Sequence, residues 1–209
     1  MADEWYRSPA WGPEDQAEFE RRLGRARRNN RGQYLRIKGL ALSSAGHVDG
    51  ARSLWLRVLE EPGYEIQRWS ALEHLADLAF DNDSQEAIAL YRRLLVEDPS
   101  LNGTSQMAEV RLAELLTRNG SEESLHEAGE LLEAWQTKRR SPFPVNHFQW
   151  ELARTRWGEA VGRPDVTRDS ARQALAFANA ASPFPRHPRV GLVRAEPHVV
   201  DWLQARAGD

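Results

Sequence analysis

Very few of the residues that could do covalent chemistry stand in a pattern that would let them. The chain has 209 residues and no cysteine, which excludes a thiol nucleophile, a thiolate metal site and a disulfide framework. Six histidines, at positions 47, 74, 126, 147, 187 and 198, could act as acid–base groups or metal ligands, but they are scattered singly. His126-Glu127 begins like a zinc-binding H-E-x-x-H helix, yet Glu130 stands where the second histidine is required. No G-x-S-x-G elbow presents a serine, and no glycine-rich loop or Gly-Lys-Ser/Thr run offers backbone N–H groups to a phosphate. Carboxylate neighbours such as Glu60-Glu61 and Glu122-Glu123 belong to a chain that is 28% charged, where such pairs mark solvated faces. The expectation is a protein that is not an enzyme, with no catalytic residues, no cofactor and no metal.

Charge gives a second kind of chemistry to weigh. The 28 Lys and Arg against 31 Asp and Glu leave a formal charge of −3, too balanced to announce nucleic acid or membrane as a partner. Lys38 and Lys138 are the sole lysines, so arginine carries nearly all the positive charge, as a GC-rich coding source would favour. The most basic stretch holds Arg21, Arg22, Arg25, Arg27, Arg28 and Arg31, with Tyr34 nearby for stacking. It could line up on phosphates. It could equally pair with Glu14, Asp15, Glu18 and Glu20 at three- and four-residue spacings, near a helix end whose dipole favours cations. Lys138-Arg139-Arg140 reads the same way. No stretch reaches the roughly 18 apolar residues of a membrane span. The amino terminus has neither the basic start nor the apolar run of a secretory signal, and with the missing cysteines this points to a cytoplasmic address.

The elements that must position these groups are helical almost throughout. An amphipathic flanking helix is expected over 14–28, opened by Pro13. Helical pairs follow: about 34–45 with 48–60, 66–80 with 85–97, 105–118 with 122–138, and 145–161 with 165–181. Gly46 is placed to cap the first of these in a left-handed conformation, and Glu61-Pro62-Gly63 ends the second. Each second helix carries an alanine followed four residues later by a bulky residue: Ala51 and Trp55, Ala87 and Tyr91, Ala128 and Leu132, Ala171 and Leu175. The alanines lie 36, 41 and 43 residues apart. A small residue where helices cross lets the backbones approach, and the bulky one fills the next groove. One pair cannot cover its own apolar face, so each needs a neighbour. Trp5, Tyr6 and Trp11 suit an arm packed over the first pair, or else a short linear motif. At the other end, the proline-rich stretch 182–197 ends the pattern, Val190 to Val193 tucks against the last pair, and a helix over 198–207 caps it.

Gly39, Ala51, Trp55 and Pro62 of the first unit, and Ala76, Ala87, Tyr91 and Pro99 of the second, resemble tetratricopeptide repeats. The similarity covers roughly residues 33–183, with the third and fourth units more degenerate. It implies an all-α fold: a single domain over 1–209, built as an α-solenoid of antiparallel helix pairs in a right-handed superhelix. Residues 1–31 form the arm and flanking helix, 33–183 the four pairs, and 184–209 the extended segment and cap. It further implies a concave face lined by the first helix of each pair. Counting from Gly39 and Ala76 puts Arg36, Ser43, Glu73 and Asp77 on that face. Glu114 follows from the third unit, and Trp150, Arg154 and Trp157 from the fourth. Arginine and tryptophan are common anchors at interfaces, although Trp150 and Trp157 lie two turns apart on a face that also suits core. The implied function is a non-enzymatic scaffold that holds a peptide or protein segment in its groove. The alternative is a nucleic-acid-associated regulator using the basic helix around 21–31. Exposed solenoid edges also allow a homodimer; a membrane partner is not expected.

Overall fold

The protein was described from a computed structural model, which describes residues 4–60 and 65–208. Among these residues there are ten α-helices and no strand: α1 (Pro13–Arg25), α2 (Arg28–Ser44), α3 (Val48–Glu60), α4 (Glu65–Ala79), α5 (Ser84–Glu97), α6 (Ala108–Asn119), α7 (Glu122–Lys138), α8 (Pro144–Ala160), α9 (Pro164–Ala178) and α10 (Pro197–Ala207). The expected stop at Glu61-Pro62-Gly63 lies outside the described residues. Contacts divide the chain into two compact units, Met1–Ser105 and Gln106–Asp209.

Local chemistry explains most of the boundaries. Asp83 caps α5 by accepting the Glu86 N–H at 3.0 Å, and Ser121 caps α7 by accepting that of Ser124 at 3.2 Å. Pro144, Pro164 and Pro197 open α8, α9 and α10, where a missing N–H costs nothing. Gly46 follows α2 at φ +84° and Gly120 follows α6 at φ +76°, both left-handed. Two expected helices begin elsewhere. The flanking helix stops at Arg25, and Ala26 and Arg27 are extended before α2 starts at Arg28. Apart from Ala26 no apolar residue lies between Leu23 and Tyr34, so nothing holds a straight helix against the core there. The third pair starts at Ala108, because Leu101 and Gln106 sit at φ +53° and +62° in a loop that Glu73 holds from α4.

In the first unit α2 packs on α3, α3 on α4, and α4 on α5, while α2 also meets α4. The core gathers Leu35, Leu42, Ala51, Leu54, Trp55 and Leu75, with Phe19 and Leu23 of α1 against them. Trp5, Tyr6 and Trp11 pack on this core too. Their hold is partly polar: Lys38, 2% exposed, donates its ammonium to the carbonyls of Ser8 at 2.6 Å and Ala10 at 2.9 Å, beneath the Trp11 ring.

The second unit repeats the pattern by itself. α6 packs on α7, α7 on α8 and α8 on α9, α6 also meets α8, and α10 covers α9. Leu112, Leu116, Leu132, Trp135 and Trp150 are buried, and a cluster of Phe148, Ala171, Ala174 and Leu203 closes the carboxyl end. Val193 and Ala195 of the extended segment pack on that cluster, whereas Val190 is exposed. Ala51, Ala87, Ala128 and Ala171 are each 0% exposed. Among the described residues no helix is long and apolar enough to cross a membrane.

Candidate functional site

The first unit holds a cleft of about 250 Å³ between α2 and α4, lined by Leu40, Ser43, Trp55, His74, Asp77 and Leu78. Ser43 lies in the last turn of α2, ahead of the turn that Gly46 closes, and lines the cleft from there. Trp55 reaches in from α3, because Gly39 has no side chain to block the indole: a Cβ there would meet Trp55 Nε1 at 2.4 Å. That Nε1 donates to the Arg36 carbonyl at 3.2 Å, which fixes the ring. His74 lies 5.1 Å from the Trp55 ring, tilted by 42°. Its Nε2 is buried without a hydrogen-bond partner. Burial, with the Arg36 cation adding to it, lowers the His74 imidazole to a pKa of about 4, so the ring is neutral near pH 7. Asp77 accepts the Tyr91 hydroxyl at 2.5 Å, which ties α4 to α5 at the cleft edge.

Of the residues singled out from sequence in this unit, Ser43 and Asp77 line the cleft. Arg36 stands nearby, with its guanidinium on Gln67 at 2.6 Å and lowered in pKa by burial and by Arg7. Glu73 lies elsewhere. It is 4% exposed, and its carboxylate accepts the Ser105 N–H at 2.9 Å and the Ser105 hydroxyl at 2.6 Å. Burial raises its pKa against those bonds. The site residues that sequence reasoning missed are Leu40, Trp55, His74 and Leu78. The signal for two of them was present, since His74 lies three residues before Asp77 and four before Leu78, on one helical face.

In the second unit the candidates separate. Glu114 takes Arg118 at 3.0 Å, Arg111 at 3.5 Å and a short ion pair from Arg156. It lines a second cleft of about 270 Å³ between α6 and α8, over which residues 193–196 pass. Trp150 is buried, donates to the Leu132 carbonyl at 2.9 Å, and stacks on Trp135. Trp157 donates to the Leu125 carbonyl at 2.8 Å, over Gly129. Arg154 lies over the Trp150 ring and within ion-pair reach of Glu151 and Asp169.

The chain matches no family model, no curated protein and no solved structure. What the α2–α4 cleft offers must therefore be read from its own atoms. It has an indole and two leucines for apolar contact, a neutral imidazole at His74, a hydroxyl, and a carboxylate at one edge. Among the described residues no three His, Asp or Glu side chains gather where a metal could be held.

Proposed function

We propose that this protein is a non-catalytic helical-repeat interaction module of the tetratricopeptide kind, and that its α2–α4 cleft holds an extended peptide segment of a protein partner. The observation that carries the reading is an apolar cleft with a hydroxyl and a carboxylate in its lining. Trp55, Leu40 and Leu78 can take one apolar side chain, while the Ser43 hydroxyl and the Asp77 carboxylate offer hydrogen bonds to a partner backbone. Small clefts of mostly apolar lining with a few fixed polar groups are common ligand sites.

The repeat architecture is part of the proposal. Within each unit the first helix meets the second, the second meets the next first helix, and successive first helices also touch. Antiparallel pairs stacked with one hand support that set of contacts. The four alanines with no exposed surface are small enough for the close crossings such pairs need, which supports the reading. A rigid cleft of this kind spares the module most of the ordering cost of binding.

Selection from a random peptide library tests the function. Ser43→Tyr fills the cleft mouth from a half-buried position. Selected peptides should bind the wild type and lose at least about tenfold in affinity for the variant, a change of roughly 1.4 kcal/mol. Peptides that bind both proteins equally would place the contact elsewhere.

A further inference from the structure

From Arg21 to Val48 the chain carries eight Lys and Arg residues and no Asp or Glu, although its formal charge is −3. Part of that run is paired in the folded structure. Arg21 and Arg22 both reach Glu18. Glu20, the other acid on that part of α1, is taken by Arg57 from α3. Arg31 donates to the Gly24 carbonyl, Arg36 to the Gln67 amide oxygen and Lys38 to two carbonyls. For Arg31 and Arg36 these neutral acceptors satisfy donors but leave the charge in place, whereas Lys38 also feels the Asp15 carboxylate. Arg25, Arg27 and Arg28 are exposed, with no ion pair or hydrogen bond from their side chains among the described residues.

These three arginines share the corner where α1 ends and α2 begins. Arg25 is the last residue of α1, Arg27 precedes α2 in extended conformation, and Arg28 is its first residue. No side chain caps α2, so its positive end adds to the same field. The corner has no apolar component for a membrane: Phe19 and Leu23 of α1 are buried in the core, and Gly24, Asn29 and Gln33 are the exposed neighbours. It also lacks the buried aromatic or aliphatic anchor of a protein interface. Tyr34, the nearest ring, is stacked on Tyr6 at 4.7 Å and is not free to take a base.

We propose that the α1–α2 corner is a phosphate-backbone contact for nucleic acid, in which Arg25, Arg27 and Arg28 hold phosphates without reading sequence. Forked guanidinium groups match phosphate oxygens, and contacts of this type give register and affinity with no base discrimination. The site is distinct from the peptide cleft, and each can fail without the other.

Fluorescence anisotropy of the full chain against a short labelled duplex of mixed sequence tests it. Binding should weaken with salt at a log–log slope of about −3, since each phosphate neutralised contributes about −0.9. Two scrambled duplexes should bind within about twofold of each other. Arg25→Ser, Arg27→Ser and Arg28→Ser together should reduce affinity at least about tenfold at low salt and flatten the slope. Thermal unfolding should be unchanged. A charge-matched control, Arg140→Ser with Arg186→Ser and Arg189→Ser, should retain wild-type binding. Equal losses in both triple variants would mean diffuse attraction and would overturn the proposal. So would binding to polyglutamate or anionic vesicles with none to the duplex.

Discussion

Trp55 and Gly39 meet where α2 crosses α3, and a methyl group on Gly39 would stand 2.4 Å from the indole Nε1. The ring cannot yield easily, because Nε1 is bonded to the Arg36 carbonyl and the residue is 2% exposed. In an open helix, glycine to alanine gains up to about 1 kcal/mol. Overpacking reverses that gain here, at a cost of roughly 1–3 kcal/mol. Gly39→Ala should therefore destabilise the protein in urea unfolding. Gly24→Ala, with nothing within 4 Å of the added carbon, should be neutral or stabilising. The same sign for both variants would contradict the close crossing.

His74 gives the first unit an acid-sensitive element. Its imidazole is held neutral by burial, with a pKa of about 4 against an ordinary 6.5. The stability this contributes is fully present above pH 6.5 and is lost as pH falls from there toward 4. By pH 5 the loss should be on the order of 2 kcal/mol. His74→Gln should flatten that part of the stability–pH curve, as urea midpoints between pH 7.5 and 5 would report.

Glu151 gives the second unit the opposite slope. It lies on α8, 5% exposed, with Oε2 buried and without a hydrogen bond, and Arg154 Nη1 3.8 Å from it. Burial raises it to about 7 against the attraction of Arg154, and Asp169 adds to the rise. The folded state then favours the protonated acid. Its contribution is complete below about pH 4.5 and lost as pH rises through 7, amounting to about 3 kcal/mol by pH 8. Glu151→Gln should raise stability at pH 8 and leave it little changed at pH 4.5. Destabilisation at pH 8 would show that the charged form is the favoured one.

The Arg139–Glu109 ion pair joins the end of α7 to the start of α6, with side chains 7% and 4% exposed. Removing one partner strands a buried charge. Arg139→Met should cost about 3–5 kcal/mol, and adding Glu109→Leu should restore most of it. A double-mutant cycle on thermal unfolding measures the coupling.

The helices were legible because their punctuation is local. Asp83, Ser121, Gly46 and the opening prolines act within a few residues of themselves, and α3 and α7 run over the expected residues. The buried alanines were legible for a similar reason, as their four-residue spacing to a bulky partner repeats along the chain. The break at Ala26-Arg27 was not, since it depends on which residues find a core. The site was read in part. Position along α2 and α4 placed Ser43 and Asp77 at the cleft, but the same counting put Glu73 there, and burial turned it toward Ser105. Charge patterning alone could not say that Arg139 would be buried against Glu109 while Arg25, Arg27 and Arg28 stayed open.

If the α2–α4 cleft takes a peptide segment, the ring nitrogens inside it report this most directly. In ¹⁵N-labelled full-length protein titrated with a selected peptide, the imidazole nitrogens of His74 and the Trp55 Nε1–H should shift and saturate together. His126 and His198, both on second-unit helices, should stay fixed. A peptide that binds while His74 and Trp55 remain unmoved would contradict the account.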